Sequence, residues 1–492
     1  MGGAHVVGPP AGLDHNAQRQ AYTHYLRGLL NERQARLSDA IEEYQQAVKC
    51  DRRSSHLHAR LGTTYMKLGD SEQAVRELTR ALQLDPDSVS AHQALAMLYT
   101  TQGAFAKAAQ EHEAILKAAP QELNSLAALA DLYVLQGKLT DAAGLYERLI
   151  EADDSDGLLQ FNAGILYSRM AHFEDAIKHL QRAAVLSPHA MEPRVALGLN
   201  YEMQGRLDDA IGQYQQAAKL EPLNVQIYHQ LARAYVGKKQ YDDAAKQFQL
   251  ILDLNPEDLE AQLSLVRIDL LRQRPADAKA RITTMLTKAK DPAECYAALG
   301  LIYRDLEMPQ DALDAFEHAV QAKPDEAALQ FHLGAQYERV GKPDKARVHL
   351  RRAIELDPKL PEALNYLGYM DADAGQNLDE AERLIRRALE VDADNGAYVD
   401  SLGWVHFRQG KLQEALQEIQ RAITLVGDDA SLYEHLGDIQ AALGDLDNAA
   451  KSWQRSLELN PKQPKVEDKL HAHPVAAPAT SGTADHANNA KH

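Results

Sequence analysis

The sequence predicts an all-α protein: a linear array of about thirteen helix–turn–helix units, with no single central core. Three spacings predict it. A Gly or Ala recurs every 34 residues, at Gly28, Gly62, Ala96, Ala130, Gly164, Gly198 and Ala232, then at Gly300, Gly334, Gly368, Gly403 and Gly437, with one step of 35 after Gly368. A second small residue keeps pace twelve positions later, from Ala40, Ala74 and Ala108 through to Ala346. Prolines close many units at one phase: Pro86, Pro120, Pro188, Pro222, Pro256, Pro324, Pro358 and Pro461. A period of this length marks stacked supersecondary units, none of which can bury its apolar stripe alone.

The elements follow in order along one unit, Ser55 to Ser88. Leu61, Gly62 and Tyr65 share one face of a first helix by three- and four-residue spacing. Gly69 ends that helix where a left-handed backbone costs little. Asp70 and Ser71 offer side-chain oxygens to cap a second helix, whose Ala74, Leu78 and Ala81 face inward. Pro86 stops it. Small residues at the Gly62 and Ala74 phases let the two helices approach closely. Thirteen such units run from Ala21 to Gln463. Residues 1–20 are left as a flexible N-terminal segment, and 464–492 as an Ala/Pro/His-rich tail expected to be disordered, with room for a short helix at Val466 to Leu470.

At Leu61-Gly62, Tyr65, Gly69, Ala74, Ala81 and Pro86, and at their counterparts in the other units, the chain resembles the tetratricopeptide repeat (TPR) family. The resemblance covers about nine-tenths of the chain. It implies antiparallel helix pairs wound into a right-handed superhelical solenoid whose first helices line a concave groove. The family's tryptophan before the Leu-Gly pair is missing from every unit; Trp453 instead takes the second-helix aromatic phase of Tyr44, Tyr146, Tyr214, Phe248 and Phe316, a core position. The last three units, around Asn365, Asp400 and Leu432, resemble bacterial, often exported or lipid-anchored, TPR proteins.

Two units depart from the pattern. Unit eight, 259–292, has Val266, Asp269 and Lys290 where the others favour Gly or Ala, Tyr and Pro, and adds Pro275 in its turn. It reads either as a hinge or as drift in one repeat held by its neighbours. Unit eleven carries one extra residue within Gly375–Asp379, expected only to lengthen a surface turn.

Composition excludes several functions. The chain has 492 residues, 45% of them hydrophobic and 25% charged, with a formal net charge of −18. An acidic field of that size repels phosphate backbones, so nucleic acid is not an expected partner. Two cysteines, Cys50 and Cys295, make neither a disulfide framework nor a four-thiolate metal site. No apolar run approaches the roughly 20 residues of a membrane span. Residues 1–16 lack the basic start and apolar stretch of a secretory signal, and Val6 breaks a myristoylation pattern. The expected location is therefore cytoplasmic, or periplasmic or outer-membrane-associated if an N-terminal signal is missing. No phosphate-cradling loop, GxSxG elbow, HExxH or CxxC motif is present. His56/His58 and His471/His473, each two apart, are poor joint ligands. The expectation is no enzyme, no cofactor and no metal.

The groove carries the candidate site. By the resemblance, phases 2, 5, 9, 12 and 13 of each unit face it. In units four to six those phases give Val134, Leu135, Leu158, Phe161, Ile165, Val195, Leu199 and Met203. Units seven to ten give Arg233, Arg267, Arg304 and Arg339; units eleven and twelve add Tyr369, Trp404, Phe407 and Arg408. A protein or peptide segment with an apolar half and an acidic half would complement this order. The competing reading is structural: the apolar run packs between first helices, and the arginines pair with Glu260, Glu294, Asp305 and Glu338 of their own chain. The family's carboxylate clamp for chaperone tails needs a Lys and Asn pattern that Asn162 and Asn365 do not supply. The expected function is a non-catalytic scaffold for protein–protein interaction. The alternatives are a self-assembling solenoid driven by exposed apolar residues of a terminal unit, or a regulatory or targeting subunit of an enzyme complex whose active site lies on another chain.

Overall fold

A computed structural model describes residues 15–473, and every element among them is an α-helix. The chain divides into two compact bodies, Met1–Glu257 and Asp258–His492. The first body holds the pairs α1 (His15–Arg33) and α2 (Leu37–Cys50), α3 (Ser55–Leu68) and α4 (Ser71–Leu84), α5 (Val89–Thr101) and α6 (Phe105–Ala118), α7 (Leu123–Leu135) and α8 (Leu139–Ala152), α9 (Gly157–Arg169) and α10 (Phe173–Leu186), α11 (Glu192–Met203) and α12 (Leu207–Leu220), and α13 (Val225–Gly237) and α14 (Tyr241–Leu254). The second holds α15 (Leu259–Leu271) and α16 (Pro275–Lys288), α17 (Pro292–Asp305) and α18 (Pro309–Ala322), α19 (Ala327–Arg339) and α20 (Pro343–Leu356), α21 (Pro361–Asp373) and α22 (Leu378–Val391), α23 (Gly396–Arg408) and α24 (Leu412–Val426), α25 (Ala430–Ala442) and α26 (Leu446–Leu459), then a lone α27 (Pro464–Ala472). Within each body the second helix of a pair packs on the first helix of the next.

The 34-residue rule has a steric origin visible in the pairs that carry glycine at this phase. The small residue of the first helix is a notch for a large residue of the second. A Cβ added at Gly300 would meet the Phe316 ring at 2.6 Å, one at Gly62 would meet Leu78 Cγ at 2.7 Å, and one at Gly437 would meet Trp453 at 2.5 Å. Trp453 fills its notch as a buried residue and donates from Nε1 to Asp438 at 3.0 Å. The turn between the helices places one residue per unit in the left-handed region, and two in unit eleven. Gly69 (φ 92°) and Gly137 (φ 74°) do so freely; Ala35 (56°), Ala171 (58°), Lys239 (59°), Gln273 (56°) and Glu307 (54°) do so against the cost of a Cβ.

Several boundaries differ from the repeat arithmetic. α1 begins at His15, so residues 15–20 are helical, and residues 1–14 lie outside the described residues. At the other end Pro464–Ala472 is folded: Val466 is buried against Ala449 and Trp453, and Lys469 Nζ reaches Glu434 at 2.9 Å and Asp438 at 2.7 Å. α27 therefore covers the apolar end of unit thirteen; residues 474–492 lie outside the described residues. The extra residue of unit eleven also does more than lengthen a turn. Asn377 takes the left-handed region (φ 49°), and its Nδ2 donates to buried Asp371 Oδ2 at 3.2 Å, while Arg347 Nε donates to Asp371 Oδ1 at 2.7 Å.

The irregular unit opens the second body. Val266 fills the notch position and faces Ile282 within a shared cluster instead of a Gly–aromatic pair. Asp269, standing where others have Tyr, is buried and accepts from Arg281 Nε at 2.7 Å. α16 buries only Ala278 and Met285.

Candidate protein-binding surface

The expected groove residues lie on first helices of both bodies. In the first body the apolar run separates into two classes. Phe161, Ile165 and Val195 are half-buried on the cluster of Ile177, Leu180, Leu197 and Tyr201, and Val134 is half-buried on the cluster around Leu129 and Leu132. Those four serve mainly as packing. Leu135, Leu158, Leu199 and Met203 are exposed, and Met97 on α5 joins them. A single water-exposed leucine needs no explanation; a set on successive first helices does. Between α7, α8 and α9 the same surface dips into a cavity of about 210 Å³ lined by Asp131, Val134, Tyr146, Asn162, Ile165, Leu166 and Arg169. Tyr146 Oη donates to Asp131 Oδ1 at 2.9 Å across its wall.

Of the four arginines, Arg233 belongs to the first body and Arg267, Arg304 and Arg339 to the second. Arg233, on α13 in the first body, is exposed, donates to Gln230 Oε1 at 2.9 Å and makes no ion pair among the described residues. Arg267, on α15 in the second body, lies 3.8 Å from Asp305 with both side chains about half exposed. It lines a cavity of about 460 Å³ with Leu259, Glu260, Leu263, Glu294 and Ile302. Asp305 of the same chain faces its charge, and the long gap makes the pair weak.

The charges of Arg304 on α17 and Arg339 on α19 both act on Tyr366 of α21. Both cations counter, but do not overcome, the burial and the Glu338 charge that raise the Tyr366 pKa. Tyr366 Oη donates to Glu338 Oε2 at 3.2 Å, and Phe331 meets the Tyr366 ring edge-on at 5.9 Å. His332 stacks on Phe316 (5.6 Å) and meets Phe331 at a tilt (5.3 Å); burial first, and Arg304 second, push its pKa down. Phe331, His332 and Tyr366 were not singled out from the sequence. They stand at phases 5 and 6 of units ten and eleven, next to each other on neighbouring first helices, and comparing those phases between units would have found them.

Tyr369, Trp404, Phe407 and Arg408 are brought together, but as a packed cluster. Trp404 was expected to face the groove; it is 9% exposed. Its indole stacks on Phe407 at 4.9 Å and on His435 of α25 at 4.3 Å, and its Nε1 is buried with no partner among the described residues. The reason is local: His435 closes over the indole from the following unit. Arg408 sits 6.0 Å above the Trp404 ring and donates to the Asp373 carbonyl, while Tyr369 is half-buried with its pKa pushed up to about 12, by burial first and then by Asp373, Asp400, Glu434 and Glu338. Cys295 is buried and Cys50 half-buried. Among the described residues no group of three or more His, Cys, Asp or Glu is placed to hold a metal ion, and no helix is long and apolar enough to cross a membrane.

Comparison with known proteins agrees with this geometry. Tetratricopeptide repeat models match residues 60–122, 161–224, 370–430 and 401–464, 201–253 and 236–302, 327–370, 125–160 and 293–326. The chain belongs to the tetratricopeptide repeat family. Over 65 residues it is 43% identical to a TPR repeat-containing protein of Pseudomonas aeruginosa, a match spanning 13% of this chain and 11% of that protein's length. Similar solved structures include a chain of the APC/C hetero-tetramer Cut9–Hcn1 (TM-score 0.40, 14% identity, 94% of this chain and 99% of that one). A chain of Naa15/Naa10 bound to HypK-THB (0.39, 14%, 92% and 90%) and yeast Tom70 (0.40, 16%, 92% and 99%) are also similar.

Proposed function

We propose that the chain is a non-catalytic scaffold that holds protein segments along its first-helix faces, in the concave groove that the family's superhelix offers. One observation carries the reading. In the first body Leu135, Leu158, Leu199 and Met203 stand exposed on three successive first helices, followed on the next by Arg233 without an ion pair. Apolar side chains supply affinity when a partner covers them, and an unpaired guanidinium selects a carboxylate. The matching ligand is an extended or helical segment with an apolar stretch followed by an acidic one. In the second body Arg304 and Arg339 around Tyr366 extend the same preference for acidic groups.

The test is site-specific photo-crosslinking in source-cell lysate, from positions 135, 199 and 233 against positions 185 and 250 on second helices. Support is a discrete set of proteins crosslinked from the first group alone, and lost when Arg233→Glu is combined with Leu199→Asp. Equal crosslinking from both groups, or turnover of a small substrate by the purified chain, overturns it.

A further inference from the structure

The outer face of α1 presents an apolar row beside the first-helix groove. Along α1 the residues Arg19, Tyr22, Leu26, Leu30 and Arg33 recur at three- and four-residue spacing and so form one row. Tyr22, Leu26 and Leu30 are 64%, 46% and 56% exposed. The later units show what this row is built to do. Leu98, Leu132 and Leu166 stand at the phase of Leu30 and are 5%, 4% and 2% exposed. Each is covered by the preceding helix pair; Leu98, for example, packs with Leu61, Tyr65 and Ala74. Ala94 and Ala196, at the phase of Leu26, are likewise buried. Leu26 and Leu30 thus form a stacking face of the same design with no helix on it among the described residues, and Tyr22 and Arg33, at the phases of exposed Leu158 and Leu135, border it on the groove side.

Charge decides what fits. Arg19 and Arg33, at the two ends of the apolar trio, are exposed and make no ion pair among the described residues, in a chain whose net charge is −18. Two copies of α1 packed antiparallel would set Arg19 of one against Arg33 of the other at both ends, so self-pairing is opposed by like charge. Head-to-tail stacking fails on chemistry: the opposite end is closed by α27, whose exposed residues include Lys465, Glu467, Asp468 and His471. We infer that the α1 face docks an amphipathic helix of another protein whose contact row runs acidic, apolar, acidic.

The test uses the full chain and a fluorescent, alanine-based helical peptide of about 20 residues with three leucines four apart, bounded in the same row by glutamates. Saturable binding is expected, weakened about tenfold or more by Leu26→Glu with Leu30→Glu, two exposed positions whose variants should keep wild-type helicity. A lysine-bounded peptide should bind poorly to wild type and better to Arg19→Glu with Arg33→Glu. Failure of the glutamate peptide to bind, or binding indifferent to its charge, overturns the inference. So does Leu26-dependent dimerisation in sedimentation, which makes a second copy the occupant, or Leu26-dependent binding to phosphatidylglycerol vesicles without peptide binding, which makes it a lipid surface. Binding that arises only after residues 2–14 are deleted overturns it in favour of the chain's own N-terminal segment. None of these outcomes bears on crosslinking from positions 135, 199 and 233.

Discussion

The Trp404 indole and the His435 imidazole stack with ring centroids 4.3 Å apart and planes 21° from parallel, joining α23 to α25. The stack is structural before it is functional, since Phe407 covers another part of the indole and water reaches little of it. Trp404→Ala should therefore cost about 3–5 kcal/mol. Denaturant unfolding of the purified chain checks this. A neutral result would show that the indole does not pack.

His435 gives the same region a pH dependence. Burial disfavours its charged form, yet Asp400 at 2.7 Å, with Glu434 and Asp438 nearby, outweighs that and raises its pKa above the ordinary 6.5. A folded pKa above the unfolded one stabilises fully below the unfolded value, and the gain is lost as pH rises through the folded value. Thermal melts of wild type and His435→Gln between about pH 5.5 and 9 should converge with rising pH. His332, pushed down by burial and Arg304, has the opposite sign: its contribution is present above 6.5 and lost as pH falls through its lowered value.

The left-handed turn residues offer a gain. Ala171 (φ 58°) and Lys239 (φ 59°) occupy a conformation that glycine holds in most other units. Ala171→Gly and Lys239→Gly should each stabilise the chain by about 0.5–1 kcal/mol, the Cβ penalty less glycine's extra entropy. Calorimetric melts of the single variants are the measurement.

Glycines separate by notch. Gly300→Ala would set its Cβ 2.6 Å from the Phe316 ring and should cost about 1–3 kcal/mol. Gly212→Ala, on α12 with nothing within 4 Å, should be neutral or stabilising by up to about 1 kcal/mol. Chemical denaturation of the two variants distinguishes them.

On the candidate surface, Leu158→Asp with Met203→Asp should leave stability within about 0.5 kcal/mol, because both side chains are exposed. Partner retention in a pull-down should fall sharply. Intact retention would place the partner elsewhere.

The repeat was legible because its spacing repeats one steric event, a small residue opposite a large one, and each recurrence reinforces the others. The turn at Gly69 was legible for the same reason. What escaped was contact across the period. His24, His58 and His92 pair with Glu43, Glu77 and Glu111 at 2.7, 2.6 and 2.6 Å. Both members recur at 34 residues, but in different helices, so only a two-position comparison between units shows them. Trp404 was misplaced because phase alone gives a direction, whereas its burial depends on His435, one unit further on. Phe161 and Leu199 both stand at groove phases, yet only Leu199 is left uncovered; the difference lies in the neighbouring second helix, which the phase of a first helix does not report.

The two ends of the array differ in what they allow over evolutionary time. A duplicated helix pair laid against α1 would find Leu26 and Leu30 exposed as its seat. An added pair after α26 would first have to displace α27, tied down by Val466 and Lys469. A helix pair is therefore accepted more readily against α1 than against α26, so a duplicated unit inserted beside α1 should cost the array less stability than one inserted beside α26.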